Sequence, residues 1–184
     1  CWVNQHITGD GSQIFKVSTS TLGGNSTHQL QLPDMAIGTQ TMLRLPEMTI
    51  SGNYQFVLDV YRSSNTYNTS YAEEGIRVFA SADGNLTGAT EITFIPRQYN
   101  VSSGLIPAED ATGWYTYELP IPITTGTCYI ILRGESQFCT STYMDNFVVE
   151  LAPTCIRPSA LQLSGTTTTS ATLAWTPGDA SQDA

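Results

Sequence analysis

The sequence predicts an all-β protein built as a sandwich of antiparallel strands. Apolar and polar residues alternate over short stretches, and no window of about eleven residues carries the apolar spacing of an amphipathic helix. Turn-forming segments such as Ala82-Asp83-Gly84-Asn85 separate these stretches. Only 12% of the residues are charged, against about 25% in an average domain, and Ser, Thr, Asn, Gln and Gly fill the polar positions. This composition is typical of a secreted β-protein.

The alternation predicts the individual strands. They are Ser12–Ser18, His28–Leu32, Thr41–Pro46, Tyr54–Arg62, Gly75–Ser81, Glu91–Ile95, Trp114–Leu119, Cys128–Arg133 and Tyr143–Leu151. On the fourth of these strands the side chains expected to face the core are Tyr54, Phe56, Leu58 and Val60, with Gln55 and Asp59 facing the other way. Strands at this spacing predict a sandwich with a core between two sheets.

Two prolines mark a domain boundary. Pro153 and Pro158 flank a short segment that is unable to continue a central strand, and a new alternating pattern begins after it. We therefore predict a first domain over residues 1–152 and a separate segment over residues 153–184. In the second segment the residues expected to share one apolar face are Leu161, Leu163, Ala171, Leu173 and Trp175.

The charge excludes some classes of partner. The chain has 7 basic and 16 acidic residues, for a formal net charge of −9, whereas binding to a polyanion needs a positive field. Nucleic acid is therefore excluded, and a cation or a neutral polymer such as a glycan fits better. The sequence contains no run of about 18 apolar residues, so we expect no membrane insertion by this segment.

The four cysteines, Cys1, Cys128, Cys139 and Cys155, lack the spacing of a zinc or redox site. They are expected to be structural thiols or disulfides, and four cysteines allow three connectivities. The first and last strands of a closed sandwich often lie side by side, which would bring Cys1 near Cys155.

Catalysis requires paired groups that the sequence does not supply. The adjacent acids Glu73-Glu74 and Glu109-Asp110 lie in predicted loops, and we expect all four to be solvated. His6 and His28 are the only histidines, and no GxSxG motif provides a serine nucleophile. The sequence therefore predicts a protein that is not an enzyme.

Asp145 lies inside an apolar strand, where a carboxylate must be hydrogen-bonded, paired or bound to a metal. Asp145, Asn146 and backbone carbonyls offer the hard oxygen ligands that Ca²⁺ prefers. Two interpretations stay open, a structural calcium site and an acid held by hydrogen bonds alone.

Charged residues within strands predict a solvated sheet face. Asp59, Arg77 and Arg133 occupy such positions, and Tyr61 and Phe79 lie close to them in sequence. Aromatic rings stack on the apolar faces of sugars while charged groups bind hydroxyls, so these five residues form a candidate ligand-binding site. The alternative is an ordinary solvated face with cross-strand ion pairs.

Five blocks of sequence recur in an order that resembles a known family. They are Tyr54–Tyr61, Gly75–Ser81 followed by Asp83-Gly84, Gly113-Trp114-Tyr115, Tyr129–Gly134 and Tyr143-Met144-Asp145-Asn146-Phe147. This order resembles MAM-like jelly rolls, and most of all the cleaved-adhesin domains of surface proteins of the Bacteroidetes. In these domains an acid at the position of Asp145 often helps to hold a structural calcium ion, so the resemblance implies Ca²⁺ as a cofactor.

The resemblance implies a jelly-roll fold and a non-catalytic adhesion or recognition module, extracellular or at the cell surface, that binds a glycan or a host or matrix protein. Two alternatives stay open. One is a structural spacer that accompanies a secreted glycoside hydrolase or protease. The other is a glycan-cleaving enzyme on a lectin-like sandwich, which has only fold analogy in its favour.

The second segment resembles the first two strands of a fibronectin type III domain. The similarity lies in Pro158-Ser159-Ala160-Leu161-Gln162-Leu163 and in the stretch from Thr169 to Pro177, whose Trp175 matches a core tryptophan of those domains. A segment this short is unable to close a seven-stranded sandwich, so its apolar face needs another surface to cover it.

We predict that limited proteolysis separates the two parts of the chain. Cleavage is expected after Pro158, because a segment without its own closed core opens readily, while the residues before Ala152 resist. Mass spectrometry of the fragments measures this. A tail that survives as long as the first domain would place these strands in the main fold.

Overall fold

A computed structural model describes residues 1–9, 13–19, 28–63, 73–138, 140–154 and 159–176. The strands are β1 (Val3–Thr8), β2 (Lys16–Ser18), β3 (Gln29–Leu32), β4 (Gln40–Arg44), β5 (Met48–Ser51), β6 (Tyr54–Arg62), β7 (Gly75–Ser81), β8 (Thr90–Pro96), β9 (Gly113–Pro120), β10 (Thr125–Glu135), β11 (Thr142–Leu151), β12 (Ser159–Thr166) and β13 (Ala171–Thr176). Within these described ranges, no helix has the length and apolar character needed to cross a membrane.

The first eleven strands form two antiparallel sheets. One sheet has the order β1-β4-β10-β7-β8, and β5 pairs with the first part of the long strand β10. The other sheet has the order β2-β3-β11-β6-β9. Apart from the consecutive pairs β2–β3 and β7–β8, neighbours in these sheets are not consecutive in sequence, as in a jelly roll. The prediction of an all-β jelly-roll sandwich is confirmed.

A single large core lies between the two sheets. Its buried side chains come from both, and they include Leu43, Ile76, Val78, Ile130 and Leu132 on one side and Phe56, Leu58, Val60, Tyr117, Leu119 and Met144 on the other. The sheets approach closely where Gly134 faces Leu32, since a Cβ atom on Gly134 would lie 2.2 Å from Leu32 Cδ1. The predicted inward set on β6 is confirmed for Phe56, Leu58 and Val60, and Tyr54 is half-buried against the core.

The nine predicted strands correspond to β2–β4 and β6–β11. Ser12, the first residue of the earliest predicted strand, lies outside the described residues. Sequence analysis missed β1 and β5. Both contain polar residues at alternate positions and pair along the margins of one sheet, so local hydrophobicity marks them weakly.

Two buried arginines fasten the loops that follow β6 and β8. Arg62 is fully buried and forms an ion pair with Glu109, and it also donates to Tyr117 Oη (2.7 Å) and to the carbonyl oxygen of Gln98 (2.6 Å). Arg97 Nε donates to Glu74 Oε1 at 2.6 Å, and both side chains are at most 2% exposed. A buried charge is tolerated only when it is paired and hydrogen-bonded, so these loops are held in one arrangement.

The expectation that all four adjacent acids are solvated is therefore wrong for two of them. Glu73 and Asp110 are exposed, but the side chains of Glu74 and Glu109 are 2% and 3% exposed. They are buried because they balance the arginines. Burial raises the pKa of the Glu109 carboxyl, but hydrogen bonds from Ser103 and Tyr117 and the Arg62 charge outweigh it, so the pKa lies below its ordinary value. The stabilisation that this lowered pKa reflects is present at neutral pH and is lost as the pH falls through it.

The described cysteines are free thiols. Cys1 is exposed, whereas Cys128 lies in the core, where burial raises the pKa of its thiol to about 11 and keeps it protonated. Cys139 and Cys155 lie outside the described residues. The expected proximity of Cys1 and Cys155 therefore stays a prediction. The first strand, β1, pairs with β4 and not with the last strand of the sandwich, β11.

The chain divides into two compact units, Cys1–Leu151 and Ala152–Ala184, one residue from the boundary drawn at Pro153. The second unit contains the antiparallel pair β12–β13, in which Leu163 lies opposite Leu173. Leu163, Leu173 and Trp175 are 61%, 52% and 55% exposed. Its assignment as the start of a fibronectin type III domain stays a prediction.

We predict that Glu74→Ala lowers the free energy of unfolding by about 3–5 kcal/mol, because it leaves Arg97 buried without its partner. Glu73→Ala is the matched control: it removes the neighbouring carboxylate, which is exposed, and is expected to change stability by less than about 0.5 kcal/mol. Urea denaturation of the two variants measures the difference. Equal effects would mean that the Arg97–Glu74 pair does not stabilise the fold.

Candidate functional site

The outward face of the sheet β2-β3-β11-β6-β9 carries a row of aromatic side chains. Tyr143 on β11 lies opposite Tyr61 on β6, and Tyr61 lies opposite Trp114 on β9. The Tyr61 and Trp114 rings meet edge to face, with centroids 5.4 Å apart and an interplanar angle of 63°. All three residues are half-buried, so each keeps part of its surface exposed to solvent. We call these three residues the aromatic row.

Strand alternation places the aromatic row on the outside. On β6 the residues that alternate with Tyr61 in the inward direction, Leu58 and Val60, are fully buried in the core. Because successive side chains of a strand point to opposite faces, Tyr61 must face outward. Tyr143 is placed in the same way by its buried neighbour Met144.

Gln31 on β3 extends the row by one strand. Its Nε2 donates to Ser141 Oγ at 2.6 Å and to Tyr143 Oη at 3.4 Å. Strands in a sheet lie about 4.8 Å apart, so the line from Gln31 to Trp114 spans about 14 Å. A short linear ligand that crosses the strands would contact every member of this line.

A second, polar row lies two residues further along the same strands. Asp145 lies opposite Asp59, and Asp59 lies opposite Thr116. Thr116 Oγ1 donates to Asp59 Oδ1 at 2.5 Å, and Asn146 Nδ2 donates to Asp59 Oδ2 at 2.7 Å. The aromatic row is thus flanked by fixed carboxylates, which are acceptors for hydroxyl groups.

The outward positions of β6, β9 and β11 are strongly acidic. They carry the carboxylates Asp59, Glu118, Asp145 and Glu150, and on these three strands no outward position holds Arg or Lys. The one arginine of β6, Arg62, is buried on the inner side. The part of the face formed by these three strands therefore favours neutral or cationic ligands over anionic ones, whereas Lys16 lies opposite Gln31 on β2.

Asp145 lies at an irregularity of β11. The pairing register with β6 shifts between Asp145 and Val148, and Asn146 has a φ of 52°, a left-handed conformation that asparagine tolerates. Asp145 Oδ1 accepts the backbone N–H of Asn146 at 2.9 Å, while Oδ2 is shielded from solvent and has no hydrogen-bond partner. Two carboxylates lie opposite each other here, an unfavourable pairing that a bound cation would balance.

These observations bear on the expected calcium site. The unpartnered Oδ2 of Asp145 and the neighbouring Asp59 supply hard oxygen ligands, as Ca²⁺ requires. Asn146 directs its amide nitrogen toward Asp59, so it would supply its oxygen only after rotation of the amide. The described residues contain no cluster of three or more acidic, histidine or cysteine side chains suited to a metal, so further ligands would come from the backbone and water.

The five residues predicted to form one ligand site lie on two different sheets. Asp59 and Tyr61 belong to the face just described. Arg77 and Phe79 lie on β7, and Arg133 lies opposite Arg77 on β10, in the other sheet. The sequence shows that each of these positions is polar or aromatic, but not which strands share a sheet.

Phe79 is not available for stacking on a ligand, which corrects its predicted role. It is 7% exposed and packs in a small outer cluster with Met42 and Ile131, against which Leu86 and Ala89 of the 82–89 loop also pack. Arg133 lies over its ring at 5.1 Å. The loop is fastened by Arg44 Nη1, which donates to the carbonyl oxygen of Gly84 at 3.0 Å.

Arg77 and Arg133 are engaged in ion pairs. Arg77 pairs with Glu91 at 2.8 Å and with Glu135 at 2.9 Å, and it lies 4.4 Å from the centroid of the Phe94 ring. Arg133 pairs with Glu135 at 2.6 Å. This outer face has the cross-strand ion pairs that were the alternative interpretation.

Sequence analysis did not assign Trp114 and Tyr143 to a site. Both occur within the sequence blocks that resemble known modules, but only the registers β6–β9 and β6–β11 bring them beside Tyr61. The sequence does show an aromatic residue at an outward position on each of three strands. The order of the strands in the sheet is needed to conclude that these residues are neighbours.

No protein-family model matches the sequence, and no curated protein matches it. Solved structures with a similar fold include the K1 and K3 cleaved adhesin domains of Lys-gingipain from Porphyromonas gingivalis W83. Both have a TM-score of 0.58, and the match covers 91% of each of those chains. The K1 domain is 15% identical over 83% of this chain, and the K3 domain is 21% identical over 82% of this chain. The chain has the fold of a cleaved adhesin domain.

A second kind of module shares this fold. TmCBM61, solved in complex with β-1,4-galactotriose, is similar with a TM-score of 0.50 at 14% identity, over 82% of this chain and 88% of that one. These similar structures are adhesin and carbohydrate-binding modules, and at this level of identity the similarity shows a shared fold. Glu74 and Glu109, the acids first considered for catalysis, are committed to buried arginines.

Proposed function

We propose that residues 1–152 form an extracellular or cell-surface recognition module that binds a neutral glycan across the aromatic row. The observation that carries this proposal is the alignment of Tyr143, Tyr61 and Trp114, all half-buried, on the outward side of three neighbouring strands. Aromatic rings provide flat, apolar area at a low entropy cost and stack on the apolar faces of sugars.

The polar row supplies the directional contacts that a sugar requires. Asp59 is held by Thr116 and Asn146, so its position is fixed before a ligand arrives. Fixed acceptors lower the entropy that binding must overcome. The acidic character of the face favours neutral sugars over sialylated, sulfated or uronic acid-containing ones.

Two further observations support a glycan over a protein partner. The row is narrow and flanked by carboxylates, whereas a protein interface of standard size buries roughly 800 Å² on each partner with an apolar centre. The carbohydrate-binding module TmCBM61, which holds a galactotriose, has a similar fold. A host or matrix protein is the second candidate, supported by the similarity to adhesin domains.

We predict that Trp114→Ala and Tyr61→Ala each weaken glycan binding by at least about tenfold, the loss expected when a central aromatic contact is removed. A glycan array identifies the strongest neutral ligand, and titration calorimetry with that ligand measures the affinity of each variant. Tyr129→Ala is the matched control, since Tyr129 is a half-buried aromatic on the outer face of the other sheet.

Binding that survives in both Trp114→Ala and Tyr61→Ala, or that is lost equally in Tyr129→Ala, would contradict this site. An array on which only sialylated or sulfated glycans bind would contradict the expected ligand class. Silence on the array together with capture of a purified matrix protein would favour the second candidate.

Calcium binding at Asp145 is proposed as a structural feature of the same face. A cation between Asp145 and Asp59 would balance two opposed carboxylates and use the unpartnered Oδ2 of Asp145. Asp145 and Asn146 would then fix the irregular part of β11, next to the aromatic row.

We predict that a calcium chelator lowers the melting temperature, because an ion bound only by the folded state stabilises it by mass action. Asp145→Ala is expected to abolish this sensitivity, whereas Asp34→Ala, which removes an exposed loop carboxylate, should preserve it. Differential scanning calorimetry with and without chelator measures both. An unchanged melting curve in chelator would leave Asp145 as an acid held by hydrogen bonds alone.

A further inference from the structure

The sandwich has an open edge where the two sheets end. β1 is the last strand of one sheet and β2 the last strand of the other, and a cavity of about 330 Å³ lies between them. Its apolar lining consists of Trp2, Phe15, Val17, Leu30, Leu43 and Phe147. We call this cavity the edge cavity.

The edge cavity reaches from the core to the surface. Phe15 and Leu43 form part of the core and are 2% and 5% exposed, and Leu30 packs against that core. At the mouth, Trp2 and Val17 are 53% and 70% exposed. Large apolar side chains that surround an opening of this kind mark a binding site for an apolar group.

The two sides of the mouth are fastened to each other. Asn4 on β1 donates from Nδ2 to the carbonyl oxygen of Phe15, the residue before β2, at 2.6 Å. Asn4 itself lines the cavity. This hydrogen bond fixes the two sides of the mouth relative to each other, which lowers the entropy lost on binding.

Lys16 gives the outer rim of the edge cavity a charge, since it lies between the lining residues Phe15 and Val17 and opposite the outward residue Gln31. It is the only lysine in the sequence, it is exposed, and it belongs to the lining. The arginines in the described part of the chain, Arg44, Arg62, Arg77, Arg97 and Arg133, all donate hydrogen bonds to carboxylates or carbonyls. Of the lysine and arginine side chains that the structure describes, Lys16 alone makes no ion pair or hydrogen bond. In a protein of net charge −9, an unpaired cation beside an apolar opening complements an anion.

We infer that the edge cavity binds a small amphiphilic carboxylate, with its hydrocarbon part between Trp2, Leu30 and Phe147 and its carboxylate beside Lys16. The chemistry is that of a medium-chain fatty acid or an aryl-alkanoic acid. The apolar walls provide most of the affinity, which rises about fourfold for each methylene group that enters. The charge of Lys16 selects an acid over an alcohol or an amine. Lys16 also lies opposite Gln31, at the end of the line that carries the aromatic row, but the apolar cavity does not include Tyr143, Tyr61 or Trp114 and does not depend on the proposed glycan binding.

Titration calorimetry of the whole protein with hexanoate, octanoate and decanoate tests the inference. Saturable binding that strengthens with chain length is expected. Octanol should bind more weakly than octanoate, and octylamine more weakly still. After reductive ¹³C-methylation, the single lysine signal should shift as octanoate saturates the site. Absence of saturable binding for all three acids would overturn the inference.

Variants at the mouth separate the roles of shape and charge. Val17→Trp fills the opening and should abolish the binding of both octanoate and octanol. Ile37→Trp is the control: it also replaces an exposed aliphatic residue with tryptophan, but outside the lining, and should leave binding intact. Lys16→Gln should weaken the affinity for octanoate about two- to fivefold, as expected for an exposed ion pair, and leave the affinity for octanol unchanged.

Octanoate binding that is insensitive to Val17→Trp would overturn the site, and insensitivity to Lys16→Gln would overturn the choice of an acid. Trp114→Ala should not affect octanoate, so failure here and failure of the glycan site are distinguishable.

Discussion

The face-to-face packing of the two sheets is the constraint on which the other features depend. Burial of Phe56, Leu58 and Val60 on β6 fixes the register of that strand against β9 and β11. A slip by one residue would turn every side chain to the opposite face, so the core also determines what lies outside. The aromatic row and the polar row are the outward half of the same alternation, and their positions are therefore as well fixed as the core.

Four of the few basic residues form ion pairs with glutamates. Arg62 and Arg97 are buried and hold the loops after β6 and β8 through Glu109 and Glu74. Arg77 and Arg133 neutralise Glu91 and Glu135 on the outer face of one sheet. On the other sheet, the outward positions of β6, β9 and β11 carry carboxylates and no arginine or lysine, and these strands also carry the half-buried aromatic rings. The selectivity proposed for neutral sugars follows from this unequal distribution, because the positive charge nearest in register, Lys16, lies beyond Gln31 on β2.

The two proposed sites also differ in how they relate to the fold. The aromatic row crosses β11, β6 and β9, of which β11 and β6 have a neighbouring strand on each side and β9 is the last strand of its sheet. Within the described residues neither sheet continues past β1 and β2, and the edge cavity lies at that margin of the core. Asn4 links the two margins and prevents them from separating. A ligand in the edge cavity would thus complete the core, whereas a ligand on the aromatic row would leave it untouched.

Local pattern determined the fold class, most strand positions, the inward face of β6 and the outward direction of Asp59 and Tyr61, because alternation and turn residues are properties of neighbouring positions. It also placed the boundary near Pro153, since proline acts on its own neighbourhood. The tertiary structure decided which outward residues meet. Tyr143, Tyr61 and Trp114 are brought together by long-range register, and Phe79 is covered by a loop from its own hairpin that packs back on the sheet. Only the tertiary structure decided that Glu74 and Glu109 are buried, because their arginine partners lie 23 and 47 residues away in the sequence and no local pattern relates them.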